Sequence, residues 1–225
     1  MSRKLRLFFA AIFTLAASPL AARSLEQDVL DELNFVRTHP YEYAQELRRY
    51  RQAFDGRIVS DESGNQQMTY EGVRAVDEAI HFLEAQRPID PLDYGAVLAR
   101  AAADHSADQG RRGGMGHNSA NGMNPARRVA ARGGGIYVSE TISYGPSDVA
   151  GIVRSLIVDD GVRSRIHRAV IFMPFLRHVG VGCGPHVSAN FMCVMDYSQT
   201  PDGRAPNLPS FARSEVGSRN ERQPF

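Results

Sequence analysis

The fold is most restricted by two runs of sequence, Val179-Gly180-Val181-Gly182-Cys183 and Phe191-Met192-Cys193-Val194. Both runs have the composition of β-strands, and the turn-forming residues Gly184-Pro185-His186 lie between them. We therefore predict a β-hairpin with its turn at residues 184–186. Because this pairing brings Cys183 close to Cys193, we predict a disulfide, as expected of an exported protein. Two buried thiols are the alternative.

A third strand is predicted upstream of the hairpin, from Ile136 to Ser143, where the sequence alternates and contains β-branched residues. By this alternation Glu140 shares the apolar face with Val138 and Ile142. A lone buried charge is very costly, so a carboxylate at this position must be hydrogen-bonded or ion-paired. Glu140 is therefore a candidate functional residue.

The spacing of apolar residues predicts helices for most of the remaining chain. They cover residues 24–35, 41–50, 71–86, 92–110, 125–132, 148–158 and 161–172. The polar segment 55–70 and the Gly/Asn-rich segment 112–124 are predicted to be loops. Helices on both sides of a few antiparallel strands form a three-layer α/β/α sandwich with a small, mainly antiparallel central sheet.

The first 22 residues are typical of a secretory signal peptide, with Arg3, Lys4 and Arg6 before an apolar run and small residues after it. The run is shorter than the roughly 20 residues that span a bilayer, which argues against the alternative of a membrane anchor. Residues 200–225 are rich in Pro, Ser and Arg and predict a disordered tail. We therefore expect one soluble domain, residues 24–199, in a secreted or periplasmic protein.

Composition and motifs argue against several classes of function. The formal net charge is +1, and no basic stripe is interleaved with aromatic residues, so nucleic acid is not an expected partner. The chain contains no HExxH pair, no zinc-finger cysteine cluster and no GxSxG elbow. No ready-made protease, zinc-finger or α/β-hydrolase site is therefore predicted.

Individual polar residues suggest where a cleft could form. His117 follows Gly116 in a glycine-rich loop, where backbone and ligand can approach closely; an exposed loop histidine is the alternative. His167 lies on a helix that should pack near the Glu140 strand. His105 lies on the apolar stripe of the Ala-rich helix, and we interpret it as a hydrogen-bonded core histidine. Asp159 or its neighbour Asp160 either caps the next segment or reaches the cleft.

Six motifs, taken in order along residues 25–199, resemble those of bacterial members of the CAP superfamily. These are the SCP-like extracellular proteins, which are related to plant pathogenesis-related protein 1. The motifs are Leu33-Asn34-Phe35-Val36-Arg37, Leu98 to His105, Gly116-His117-Asn118, Ser139 to Gly145, Ser164 to Arg168 and Val179 to Gly184.

The resemblance implies an α/β/α sandwich whose cleft is lined by two histidines and one or two acids that can hold a divalent cation such as Zn²⁺ or Mg²⁺. Matched by motif, the histidines and metal ligands are His117 and His167, and the first acid is Glu140. The second acid is Asp159, with Asp160 as the alternative. Family members bind sterols, other lipids or glycans.

The sequence departs from the family pattern around the second histidine and the glutamate. Ile166 replaces the glycine before His167, and Ser139 and Thr141 replace the glycine and asparagine that flank Glu140. A β-branched residue adds bulk and restricts the backbone. We therefore expect a drier or narrower pocket, which would oppose metal binding.

Three functions follow from these observations, and we favour the first. It is a secreted, non-enzymatic, monomeric module that binds a lipid, sterol or glycan at the cleft. The second is a metal-dependent hydrolase in which His117 and His167 hold the metal and Glu140 acts as base, although two nitrogen ligands make a weak site. The third is an envelope structural protein in which these residues form a satisfied polar network.

Overall fold

The computed structural model describes residues 23–61 and 64–206. The predicted signal peptide and residues 207–225 of the predicted tail lie outside the described residues. In the described ranges no helix is both long and apolar enough to cross a membrane.

Helices and strands follow one another along the whole described chain. The helices are α1 (Leu25–Thr38), α2 (Pro40–Arg51), α3 (Val73–Ala85), α4 (Ala96–Arg112), α5 (Pro125–Ala131), α6 (Val149–Val158) and α7 (Ile166–Ile171). The strands are β1 (Phe54–Asp55), β2 (Ile58–Ser60), β3 (Gln66–Met68), β4 (Asp93–Tyr94), β5 (Ser139–Tyr144), β6 (His178–His186) and β7 (Asn190–Ser198).

Local capping explains where several predicted helices begin. The Ser24 hydroxyl accepts a hydrogen bond from the backbone N–H of Gln27, and the Asp148 carboxylate accepts one from that of Gly151. Each bond satisfies an N–H that has no partner inside the helix. Pro40 stands at the first position of α2, where its missing N–H costs nothing.

The central sheet has the strand order β4-β6-β7-β5, with β4 parallel to β6 and the other pairs antiparallel. Helix α4 packs against β6 and β7. Helix α1 contacts β6, and helix α6 contacts β5. Gly180 and Gly182 have no side chain between β6 and the α4 backbone, where a Cβ would collide with Ala99 and Ala103. Helices therefore cover both faces of the sheet, and the predicted α/β/α sandwich is confirmed.

The predicted pairing of the C-terminal hairpin is present, but its turn lies elsewhere. Strands β6 and β7 pair from His178–Ser198 to His186–Asn190, so the turn is at residues 187–189 and not at 184–186. At Pro185 strand β6 has no second neighbour, and a missing N–H is tolerated at such an edge. Cys183 and Cys193 are directly opposite each other and form the predicted disulfide.

Several other elements differ from prediction. The helix predicted at 92–110 begins only at Ala96, because the N–H groups of Asp93 and Gly95 bond to residues 177 and 179 and form strand β4 beside β6. The strand predicted at 136–143 spans Ser139–Tyr144.

Most of the small antiparallel sheet β1-β2-β3 lies in the segment predicted as a loop at 55–70. The helix predicted at 161–172 is reduced to α7, because Gly161 (φ 81°) and Arg165 (φ 49°) take left-handed conformations that end a right-handed helix. The first residues of the predicted tail are described, and the carbonyl oxygens of Asp202 and Gly203 accept hydrogen bonds from residues 135 and 137.

Candidate functional site

The first histidine of the predicted cleft is held by the predicted glutamate. His117 lies in the loop between α4 and α5, and its Nδ1 is 2.8 Å from Oε1 of Glu140 on β5. The imidazole is 52% exposed, whereas the glutamate side chain is 1% exposed. The hydrogen bond to Glu140 raises the pKa of His117 above its ordinary value. The imidazole of this pair thus faces solvent, while the carboxylate that holds it is buried.

Two charged groups that the sequence analysis did not identify lie behind Glu140. Arg128 of α5 is buried, forms an ion pair with Oε2 of Glu140 and donates to the backbone oxygen of His117 at 2.9 Å. Asp196 of β7 is fully buried and is the register partner of Glu140. Burial, and then the charge of Glu140, raises the pKa of Asp196 well above its usual range. Two carboxylates side by side repel one another, and this repulsion together with burial favours the protonated form of Asp196.

The backbone of the His117 loop is fixed by buried polar side chains. The Nε2–H of His105 donates to the Gly116 oxygen at 2.9 Å, and its Nδ1 accepts from the Ser119 hydroxyl at 2.9 Å. The Tyr144 hydroxyl accepts from the Gly116 N–H at 2.9 Å and donates to Gln109 at 2.7 Å. His105 has the role predicted for it, because burial lowers its pKa and both ring nitrogens are bonded.

The second predicted histidine is also held by a carboxylate. Asp159 caps the C-terminus of α6, and its Oδ1 is 2.7 Å from Nδ1 of His167. Its Oδ2 accepts from the His167 backbone N–H at 3.0 Å. The histidine side chain is 20% exposed and the aspartate 2% exposed. Asp160 does not share this role, since it accepts from the backbone N–H groups of Tyr70 and Glu71.

The two pairs leave the Nε2 atoms of His117 and His167 as the nitrogens available to a ligand. A catalytic zinc site in proteins uses three protein ligands with an open fourth position. Within the described residues no group of three or more His, Cys, Asp or Glu side chains is arranged to hold a metal ion.

Large apolar side chains are exposed next to both pairs along the chain. Ile166 is the first residue of α7 and directly precedes His167, and Met115 lies two residues before His117. Ile136 and Tyr137 are exposed just before β5, which carries Glu140. The extra bulk expected at Ile166 is thus turned partly toward solvent. Each of these four side chains lies within four residues of a member of one of the pairs along the chain.

Comparison with known proteins places this geometry in context. The model of the CAP family, described as the cysteine-rich secretory protein family, matches residues 30–197. No curated protein matches the chain. A solved extracellular protein containing an SCP domain, from Bacillus anthracis str. Ames, is similar at 18% identity with a TM-score of 0.41. The match covers 56% of this chain and 38% of that one, so it spans well under half of that protein.

Proposed function

The chain belongs to the cysteine-rich secretory protein (CAP) family, and on that premise we propose that it is a secreted, non-enzymatic protein that binds a lipid or sterol. The ligand contacts the histidines of the two histidine–carboxylate pairs, His117–Glu140 and His167–Asp159. One observation carries the proposal: each pair buries its acid and leaves its imidazole accessible.

The exposed imidazole of His117 and the partly exposed imidazole of His167 suit the polar end of such a ligand. The carboxylates occupy Nδ1, so Nε2 meets the ligand. A protonated imidazole donates from Nε2 to a hydroxyl or acidic oxygen, and a charged donor makes a stronger hydrogen bond than a neutral one. The raised pKa of His117 favours this protonated form. The pairs thus orient both rings with Nε2 directed to the ligand.

The surroundings of the pairs suit the apolar part of the ligand. The exposed side chains of Met115, Ile136, Tyr137 and Ile166 offer apolar surface close in sequence to the imidazoles. Ligand sites in proteins combine such surface with a few polar groups that fix orientation. This favours a lipid or sterol over a glycan, whose hydroxyl groups need more polar partners.

The contacts of Glu140 favour binding over hydrolysis. Its carboxylate, which hydrolysis would use as a base, is buried and already bonded to both His117 and Arg128. The predicted signal peptide and the Cys183–Cys193 disulfide suit a protein in an oxidising compartment outside the cytoplasm.

A binding panel tests the proposal. The purified protein is incubated with a sterol, a fatty acid, a phospholipid and neutral glycans, and bound ligand is measured by equilibrium binding. We expect saturable binding of a lipid or sterol that the double variant His117→Gln/His167→Gln weakens at least tenfold. The matched control, His39→Gln/His81→Gln, changes two exposed histidines outside the pairs and should bind normally. Binding of glycans alone, or lipid binding unchanged in the double variant, would refute the proposal.

A further inference from the structure

A surface cavity of about 640 Å³ lies between the start of α3 and the loop that precedes α7. Four arginines line it, together with Tyr70 and Glu71, and we call it the arginine pocket. The arginines are Arg57, Arg74, Arg163 and Arg165. Neither histidine–carboxylate pair contributes a residue to this pocket.

The two walls of the arginine pocket are joined by hydrogen bonds. The backbone N–H groups of Tyr70 and Glu71 donate to the Asp160 carboxylate at 2.7 and 2.8 Å. In return the Gly161 N–H donates to Glu71 Oε1 at 2.9 Å. Gly161 has φ 81°, and a Cβ there would lie 3.0 Å from the Tyr70 ring. A glycine is therefore needed for the two walls to approach this closely.

The charges in the arginine pocket do not cancel. Arg165 binds Glu71 with two nitrogens at 2.6 and 2.8 Å and also pairs with Glu78, so its charge is balanced. The same contact lowers the pKa of Glu71 to about 2. Among the described residues, Arg57, Arg74 and Arg163 form no ion pair with a carboxylate, although Arg57 donates to the backbone oxygen of Thr69. Three guanidinium groups without a direct ion pair thus border one cavity, and the Asp160 carboxylate behind its walls offsets only part of their charge.

Helix α3 adds a further attraction for anions. Arg74 in its first turn lines this cavity, its N-cap Gly72 provides no side-chain cap, and its first turn carries no acid, although Glu71 directly precedes the N-cap. Free N–H groups at a helix N-terminus attract negative charge. Gly72 has φ 68°, and a Cβ there would lie 2.6 Å from the Gly56 oxygen, so this glycine lets the turn that carries Arg57 lie beside Arg74.

We propose that the arginine pocket binds a ligand that carries two or more phosphate groups. Planar guanidinium groups match the oxygens of a phosphate in pairs, and three of them balance more charge than one phosphate supplies. The cavity is also larger than a single phosphate requires. Soluble polyphosphates and phosphorylated lipid headgroups share this chemistry.

Calorimetric titration of inorganic pyrophosphate into the full chain tests the proposal. We expect one-to-one binding that Arg74→Ala/Arg163→Ala weakens at least tenfold. Arg87→Ala/Arg127→Ala removes the same charge from exposed positions outside the arginine pocket and should leave the affinity within twofold. The variant His117→Gln/His167→Gln should also bind normally, which separates this site from the proposed lipid site. Absence of saturable binding, or an equal loss in the Arg87/Arg127 control, would overturn the proposal.

A second arm distinguishes the two sources of phosphate. Sedimentation with phosphatidylcholine vesicles, with and without a phosphatidylinositol bisphosphate, is compared for the wild type and both arginine variants. Binding only to the vesicles that contain the bisphosphate lipid, lost in the Arg74/Arg163 variant, would support a lipid headgroup. Pyrophosphate binding without vesicle binding would support a soluble ligand. Vesicle binding that both variants retain, without pyrophosphate binding, would contradict the proposal.

Discussion

The two histidine–carboxylate pairs have the same side-chain geometry but differ in what lies behind each acid. Glu140 lies within a strand, where buried Arg128 pairs with it and its register partner is Asp196, whose pKa is raised by burial and by Glu140. Asp159 ends a helix, and its second oxygen accepts from the backbone of His167. The first acid therefore belongs to the charge balance of the core, and the second acts as a helix cap.

This difference shows which substitutions report on folding and which on binding. A change at either acid alters interactions inside the protein, and far more so at Glu140. A change at the His117 or His167 imidazole alters the surface that a ligand meets. The following predictions test this contrast, in order of decreasing effect.

The largest effect is expected for Glu140→Ala, which leaves the buried Arg128 without its counter-ion. Removing one partner of a buried ion pair costs about 3–5 kcal/mol because the other charge remains desolvated. Urea unfolding of the wild type and variant measures the difference. A cost below about 1 kcal/mol would show that Arg128 is solvated or compensated in another way.

A smaller effect is expected for Asp159→Ala. The variant loses a hydrogen bond to the N-terminus of α7 and the contact with His167, as when a helix cap is removed, so the cost is about 1–2 kcal/mol. The same urea measurement applies. If the cost equalled that of Glu140→Ala, the proposed contrast between the two pairs would be lost.

Asp196→Asn is expected to change stability by less than about 1 kcal/mol at pH 4, because asparagine resembles the protonated acid in shape and charge. In the wild type the folded-state pKa of Asp196 is raised, so its ionisation in the unfolded chain reduces stability as the pH rises above about 4. The stability of the variant relative to wild type should therefore increase between pH 4 and pH 7. Equal pH profiles would indicate that Asp196 is ionised.

The smallest effect concerns the ionisation of His117. NMR titration should find its pKa above about 6.5, and Glu140→Gln should bring it back toward that ordinary value. Since the folded-state pKa of His117 is raised, its bond to Glu140 stabilises the protein fully below about pH 6.5. This stabilisation is lost as the pH rises through the folded-state pKa. The control Asp159→Asn should leave the His117 titration unchanged, and a shift there would mean that the two pairs are coupled.

Sequence patterns predicted the fold better than the surroundings of the site. Capping residues and apolar spacing located the longer helices, and alternation correctly identified Glu140 as a buried acid. Asp196 shows the same signal, an acid in an apolar strand, but the predicted strand ended at Val194. Arg128 follows Arg127 on a short helix, and no local pattern shows which of the two is buried. The choice between Asp159 and Asp160 depends on backbone conformation, which their identical side chains do not reveal.

The central claim is that both imidazoles contact one ligand, and histidine NMR tests it most directly. The Cε1–H signals of the seven histidines are assigned with His→Gln variants and followed while monomeric lysophosphatidylglycerol or a soluble sterol sulfate is added. The account predicts that the signals of His117 and His167 shift together along one saturation curve, while that of buried His105 stays in place. If both signals remained fixed while either probe bound, ligand binding at the two pairs would be contradicted.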